Sequence, residues 1–229
     1  MSGHLALILA NGELDDLGVI RARLAELTPA VVVAADGGAR YARALGLRLD
    51  ALVGDLDSTS PEQAARLGAD GAQIVRRPAE KDETDLELAL LHAFEGGVDE
   101  AIVIGAAGGR FDMTVANVHL LLHPSLVGRR ISLWVGSQTA YLCRPPGGEI
   151  DGESGDTVSL IPLGGDAQGV TTHGLAFPLS GEALAGGPAR GVSNRITVPP
   201  AHVDLVSGVL LVVHTPHTEL PASSELAGS

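Results

Sequence analysis

Hydrophobic residues follow two alternating patterns up to His123-Pro124. Short aliphatic runs occupy residues 5–9, 31–35, 51–53 and 101–104. Segments with apolar residues at helical spacing lie among them, at residues 14–27, 39–45, 82–94 and 111–122. Alternating strands and helices of this length are typical of a mostly parallel sheet with helices against it. The first part of the chain is therefore predicted to be an α/β domain.

Beyond His123-Pro124 the helical pattern stops. Short apolar stretches at 131–135, 157–161, 195–198 and 209–213 are separated by Gly/Pro clusters such as Pro145-Pro146-Gly147-Gly148. This texture predicts a smaller all-β domain, a sandwich or barrel. We expect the α/β domain to span 1–130, the all-β domain to span 131–218, and residues 219–229 to form a flexible tail.

Composition narrows the class of protein. The 229 residues are 45% hydrophobic but only 3% aromatic, so aliphatic side chains must form the core. The formal net charge of −13 disfavours nucleic acid and anionic membranes as partners. A single cysteine, Cys143, cannot form an internal disulfide, and no apolar run has the length of a membrane span. We expect a cytoplasmic protein.

Polar residues gather where the predicted parallel strands end. The turns Asn11-Gly12, Asp36-Gly37-Gly38, 54–58 and 105–112 each follow an apolar run. Ligands of open α/β sheets bind at the carboxyl ends of the strands. Asp55 and Asp57, two residues apart, can direct both carboxylates to one side. Since clustered carboxylates repel one another without a cation, the turns indicate an Mg²⁺ site, although a capped turn explains Asp55 and Asp57 equally well.

Two further segments carry candidate chemistry. Lys81, the only lysine, stands beside an acidic helix start at residues 82–85. The turn 105–112 supplies glycines that let a phosphate approach backbone N–H groups, and Arg110 adds a fork of donors. It matches neither the Walker A nor the Rossmann pattern. A helix-capping sequence also explains Asp82 and Glu83, but not Lys81, and the glycine-rich turn suits a phosphate without requiring one.

Together these motifs resemble the thiamine pyrophosphokinase family. In chain order they are Ala10-Asn11-Gly12, Ala35-Asp36-Gly37-Gly38-Ala39, Gly54-Asp55-Leu56-Asp57-Ser58, Lys81-Asp82-Glu83-Thr84-Asp85, Gly108-Gly109-Arg110-Phe111-Asp112 and Arg190-Gly191-Val192-Ser193-Asn194. The resemblance implies an ATP-binding catalytic domain, a thiamine-binding β-sandwich and a homodimer with active sites between subunits. It also implies transfer of the pyrophosphoryl group of Mg-ATP to the hydroxyl of thiamine, giving thiamine diphosphate and AMP.

The resemblance implies roles for individual residues. The catalytic set would be Asp36, Asp55, Asp57, Asp85 and Arg110, with Asp55, Asp57 and Asp85 as Mg²⁺ ligands. The nucleotide would contact Asn11, Gly37, Gly38, Lys81, Thr84, Gly108, Gly109 and Asp112. Ser193 and Asn194 would bind the pyrimidine ring of thiamine. Two positions depart from the family pattern: Met113 stands where histidine is common, and Arg195 where an acidic residue is common.

Two alternatives stay open from the sequence. The protein could be a kinase or pyrophosphokinase for another small alcohol, because the same acids would serve any Mg-ATP reaction. It could also be a non-catalytic nucleotide-binding protein that reuses the α/β domain. The complete set of acids favours an enzyme over the second alternative.

Overall fold

The chain forms two folded units that divide between Leu142 and Cys143. The computed structural model describes residues 4–14 and 16–217. The division lies later than the expected boundary at 130/131, because the hairpin of strands 130–135 and 138–143 extends the first sheet. The predicted tail, 219–229, lies outside the described residues.

The first unit is built on one sheet with a parallel centre. Its strands are β1 (Leu5–Leu9), β2 (Val31–Ala35), β3 (Ala51–Gly54), β4 (Gln73–Arg76), β5 (Glu100–Ile104), β6 (Arg130–Val135) and β7 (Gln138–Cys143). They run in the order β4-β3-β2-β1-β5-β6-β7, and only β7 is antiparallel to its neighbour. The predicted α/β class is confirmed. Strand β4 lacks a strong apolar pattern, since it lies at the sheet edge with no fully buried residue.

Helices connect these strands, and several begin at a side-chain cap. They are α1 (Leu17–Leu24), α2 (Ala39–Leu45), α3 (Pro61–Ala69), α4 (Asp85–Glu95) and α5 (Phe111–Leu120). The Ser60 side chain accepts from Gln63 N before α3, and the Thr84 side chain accepts from Glu87 N before α4. Helix α4 thus begins at Asp85, three residues later than predicted from Asp82.

Aliphatic side chains form the core of the first unit, as the composition requires. Leu9, Leu52 and Ile104 are fully buried on the central strands. Trp134 on β6 is also buried. The Arg23 guanidinium lies 3.7 Å from the Trp134 ring centroid and donates to Gly136 O, so α1 is fastened to the β6–β7 turn.

Helix α5 does not bury the apolar face that its spacing predicted. Phe111 is 80% exposed and Val115 is 42% exposed, whereas Asn117 is its only buried residue. The helix predicted from the periodicity is confirmed. The expectation that its apolar face packs against the core is wrong, because Phe111 and Val115 are exposed.

The second unit is all-β, as predicted. Three neighbouring strands are β12 (Asn194–Arg195), β9 (Thr157–Pro162) and β14 (Leu210–Thr215), in that order. A four-stranded sheet runs β11 (Glu182–Leu184), β10 (Ala167–His173), β13 (Ala201–Asp204) and β8 (Gly147–Ile150). All their pairings are antiparallel. Val158 and Leu160 on β9 and Val203 on β13 are buried beside less buried neighbours, so each sheet has a core face.

One predicted strand of this unit is wrong in its bounds. The apolar stretch 195–198 suggested a strand, but β12 ends at Arg195. Ile196 makes an isolated bridge to Leu175, and the chain then turns toward Pro199-Pro200. Proline lacks the N–H that would continue the ladder.

Among the described residues, no helix is both long enough and apolar enough to cross a membrane.

Candidate active site

Three aspartates meet at the carboxyl ends of β2 and β3. Asp36, Asp55 and Asp57 each direct a carboxylate oxygen to within 4.8 Å of the others, in a group that could hold a metal ion. Asp36 is buried, Asp55 half-buried and Asp57 exposed, so the group opens to solvent on one side. From the sequence, Asp85 was predicted to be a metal ligand, and Asp36 was predicted to be catalytic but not a ligand. In the structure Asp36 completes the close group instead.

A tight turn fixes these three side chains. The Asp36 carboxylate accepts from Ser58 N and Thr59 Oγ1, both at 3.1 Å. The Asp55 side chain accepts from Asp57 N at 3.0 Å, and Leu56 between them has a left-handed φ of 64°. That positive φ turns the backbone between the two acids. The capped-turn interpretation and the metal interpretation are therefore compatible, because the same turn also brings the carboxylates close together.

Asp85 stands next to this group at the start of α4. Burial raises the pKa of Asp85, and the nearby charges of Asp55 and Asp36 add to that effect, whereas the Lys81 ammonium opposes it. The Lys81 Nζ lies 2.5 Å from Asp85 Oδ1. A side chain at Gly54 would put its Cβ 2.9 Å from Asp36 Cβ and 3.1 Å from Asp85 Oδ1. Only glycine lets β3 pass between these two acids.

A cavity of about 350 Å³ opens beside the acids, across the ends of β1 and β5. Six of the predicted site residues line it: Asn11, Thr84, Asp85, Gly108, Gly109 and Arg110. Three residues that were not predicted for the site, Glu13, Arg40 and Asn117, also line it, as does Met113, which was noted above only as a departure from the family pattern. These residues are scattered in the sequence, on α2, on α5 and in the turn after β1, so no local motif marks them. The strand order brings them together.

Gly37, Gly38, Lys81 and Asp112 do not line this cavity. Gly38 is buried where a Cβ would collide with the carbonyl of Leu9, so its role is close packing of the turn against β1. Gly37 packs in the same way against the Asn11 amide. These glycines shape the site without facing it.

The two arginines of the cavity are both engaged within the chain. Arg110 pairs with Asp112 through two nitrogens, and both side chains are mostly exposed. Hydrogen bonding to Arg110 lowers the pKa of Asp112. Arg40 donates to the side chain of Asn11, to Asn11 O at 3.0 Å and to Gly12 O at 3.1 Å. A bound anion would compete with these partners for either guanidinium.

The second unit has a smaller cavity of about 180 Å³ beside the predicted Ser193-Asn194 pair. Asn194 lines it but is buried, and its amide already holds the backbone of Phe177: Oδ1 accepts from Phe177 N at 3.0 Å and Nδ2 donates to Phe177 O at 2.7 Å. Ser193 does not line the cavity and has a left-handed φ of 57°. Phe177 itself is 64% exposed on the cavity wall, an aromatic surface that the sequence analysis missed.

Comparison with known proteins identifies the family. The model of the thiamin pyrophosphokinase catalytic domain matches residues 26–134, and the model of the thiamin pyrophosphokinase vitamin B1 binding domain matches residues 149–210. The chain belongs to the thiamine pyrophosphokinase family. The two matches stand in the order that the motifs of the sequence indicated.

Individual relatives agree with membership of the thiamine pyrophosphokinase family. Thiamine pyrophosphokinase of Bacillus subtilis is 29% identical over 71% of this chain and 76% of its own length. Thiamine pyrophosphokinase 1 of Oryza sativa is 31% identical over 64% of this chain, which spans 59% of that longer protein. The crystal structure of the Bacillus subtilis protein superposes with a TM-score of 0.80 at 23% identity, covering 93% of this chain and all of that one. Thiamin pyrophosphokinase from Candida albicans shares the fold at a TM-score of 0.73 and 19% identity, covering 93% of this chain and 89% of its own.

Proposed function

We propose that this chain catalyses the thiamine pyrophosphokinase reaction, in which thiamine and ATP give thiamine diphosphate and AMP. The observation that carries the proposal is the joint presence of both family domains with a converged acidic group beside an open cavity. A non-catalytic relative would have no need of three carboxylates held at one sheet edge. The first unit would bind ATP and the second would bind thiamine.

The acidic group fits Mg²⁺ by its chemistry. Its members offer carboxylate oxygens, the ligands that Mg²⁺ takes in proteins, and the single lysine, Lys81, is already paired with Asp85. Asp36, Asp55 and Asp57 would hold the ion, with Asp85 beside them. The ion would offset negative charge on the substrate phosphates. We infer no separate role for Lys81 beyond balancing Asp85.

The protein's own groups would then position the reactants. Phosphoryl-group transfer depends mostly on orientation and charge neutralisation. The oxygen of the thiamine hydroxyl would bond to the β-phosphorus of ATP, and its proton would pass to water. The bond between the β-phosphorus and the oxygen that bridges to the α-phosphorus would break, and AMP would leave. Arg40 and Arg110 are the guanidinium groups on the cavity wall that could exchange their present partners for phosphate oxygens.

Thiamine recognition would use the small cavity of the second unit. Phe177 offers an exposed ring face suited to stacking on a flat, cationic heteroaromatic ring. Asn194 has two backbone hydrogen bonds to Phe177 and a third partner in Arg195 N, so most of its amide is already used. We therefore propose that Asn194 holds Phe177 in place, with at most one remaining N–H for the substrate.

Product identification tests this function directly. The purified protein is incubated with ATP, Mg²⁺ and thiamine, and phosphorus NMR is recorded. We expect thiamine diphosphate and AMP in equal amounts. ADP with thiamine monophosphate would contradict pyrophosphoryl transfer, and turnover of a different alcohol in place of thiamine would favour the other kinase hypothesis.

A further inference from the structure

One buried side-chain polar atom in the described part of the chain has no hydrogen-bond partner. The Asn117 side chain is only 6% exposed, and its Oδ1 makes no hydrogen bond among residues 4–14 and 16–217. Buried acceptors without a donor are rare in folded proteins, because water would have bound them in the unfolded chain. Asn117 also lines the 350 Å³ cavity. The orphaned oxygen therefore points to a ligand that supplies a donor.

The orientation of this amide is fixed by its other end. Asn117 Nδ2 donates to Ala106 O at 2.7 Å. A carbonyl oxygen can only accept, so the nitrogen must face Ala106 and the oxygen must be the free end. Rotating the amide would set two oxygens against each other. Asn117 is thus held ready as an acceptor.

The surroundings of Asn117 suit a flat base. Met113 lies four residues earlier on α5, on the same face, and Ala10, Ala106 and Leu86 also line the cavity. By contrast, charged groups gather at the other end, where Thr84 and Asp85 adjoin the acidic group. The cavity therefore has apolar side chains and one acceptor near Ala106 and the acidic group near Asp85, and Glu13, Arg40 and Arg110 also line it.

The strand order separates these two ends. The acidic group follows β2 and β3, whereas Ala106 follows β5, and β1 lies between β5 and β2. Three strand spacings from β3 to β5 amount to about 14 Å. An extended nucleoside triphosphate can cover this distance. The Glu13 carboxylate lies beside Gly109, 3.4 Å from a Cβ built there, and offers an acceptor for a ribose hydroxyl on the same side of the sheet as Ala106.

We propose that Asn117 Oδ1 accepts a hydrogen bond from the exocyclic amine of adenine and so selects the nucleotide. The inference rests on the proposed use of Mg-ATP by this site. A base with a keto oxygen at the same position, such as hypoxanthine, would set an acceptor against an acceptor. A base with hydrogen there would leave Oδ1 unpaired. One such lost partner changes affinity by roughly 5- to 150-fold.

The test is equilibrium binding, so that it does not depend on turnover. Isothermal titration calorimetry with Mg²⁺ and without thiamine is run with ATP, ITP, purine riboside triphosphate and 2′-deoxy-ATP. We expect the unmodified protein to bind ATP roughly 5- to 150-fold more tightly than ITP. Purine riboside triphosphate should bind between these two. In Asn117→Ala, the preference for ATP over ITP should fall to about 3-fold or less.

Val118→Ala, on the same helix but away from the cavity lining, is the matched control and should keep the preference of the unmodified protein. Two results for Asn117→Ala would overturn the proposal. One is an equal loss of affinity for ATP and for ITP. The other is loss of the preference for ATP over 2′-deoxy-ATP, which would assign the hydrogen-bond donor to the ribose. If Asn117→Ala fails to fold, the nucleotide series on the unmodified protein still decides, because equal affinity for ATP and ITP would refute it. If the protein prefers ATP to ITP but does not turn over thiamine, the role of Asn117 is supported and only the proposed function is contradicted.

Discussion

At the scale of single residues, Asp57 is the member of the acidic group whose removal tests metal binding most cleanly. Among the described residues, its exposed carboxylate accepts a side-chain hydrogen bond from Ser58 Oγ at 2.9 Å, a contact that an asparagine oxygen can also make. Asp57→Asn should therefore fold normally, lose about 10-fold or more of its activity and require more Mg²⁺. Relief of repulsion from Asp36 and Asp55 should leave its thermal stability equal or higher.

Steady-state assays across a range of Mg²⁺ concentrations check this, together with thermal melts. Asp82→Asn is the control, since Asp82 is an exposed acid outside the group. Unchanged turnover of Asp57→Asn at low Mg²⁺ would mean that the residue only shapes the turn.

Asn194 and Phe177 form a second residue-scale unit. Asn194→Ala removes both hydrogen bonds to the Phe177 backbone, at about 1–3 kcal/mol for the polar groups left unpaired. The KM for thiamine should rise roughly 5- to 150-fold while the KM for ATP changes little. Phe177→Ala should have the same selective effect.

The double variant distinguishes a positioning residue from a direct ligand. If Asn194 acts through Phe177, Asn194→Ala with Phe177→Ala should be little worse than the stronger single variant. Fully additive effects on the KM for thiamine would instead assign Asn194 a substrate contact of its own. A shift only in the KM for ATP would move the thiamine site out of the second unit.

At the scale of elements, Asp156 ties the start of β9 to the end of β14. Its carboxylate accepts from Glu153 N at 2.8 Å, His217 N at 2.7 Å and His214 Nε2 at 2.7 Å. Burial acts to raise the pKa of Asp156, but these three donors outweigh it and hold the pKa below its ordinary value. Asp156→Ala leaves those donors unpaired and should lower the free energy of unfolding by about 2–5 kcal/mol.

The same shift gives a pH dependence with a definite sign. A carboxyl whose folded pKa is depressed stabilises the fold above its unfolded pKa, near 3.9, and loses that contribution as the pH falls through the folded value. Chemical denaturation should show the difference in free energy of unfolding between the unmodified protein and Asp156→Ala at pH 7. This difference should narrow below about pH 4. A difference that widened on acidification would contradict this role of the Asp156 hydrogen bonds.

At the scale of the whole molecule, the exposed face of α5 supports the homodimer that the family resemblance implied. Phe111 and Val115 are four residues apart and both exposed, beside the cavity residues Arg110 and Met113 of the same helix. We expect light scattering at micromolar concentration to report twice the 23.4 kDa mass of the chain. Phe111→Asp with Val115→Asp should give a monomer with reduced activity.

Val206→Asp, at a 76% exposed position in the second unit, controls for added charge and should stay dimeric. A monomeric unmodified protein with intact activity would refute the dimer. A dimer that survives the α5 changes would place the interface on another face.

Much of this protein follows from its sequence because local patterns carry it. The aliphatic runs of β1, β2 and β5 read as buried strands, since a parallel strand is covered on both faces. The turns that end them hold Asn11, Asp36 and the glycines of 105–109, and strand ends meet at one edge of a parallel sheet. Those two facts were enough to predict an α/β domain with an acidic site, and the ordered motifs were enough to indicate the family.

Only the tertiary structure decided which residues are neighbours. Asp36 rather than Asp85 joins Asp55 and Asp57, because Lys81 engages Asp85 while Ser58 and Thr59 hold Asp36 in the turn. The Asn194 amide makes two hydrogen bonds to the backbone of Phe177, seventeen residues away, and no sequence spacing predicts this contact. Asn117 looked like an ordinary helical residue until its burial left one oxygen without a donor. Periodicity shows that a segment has faces, but the packing of distant segments determines what each face meets.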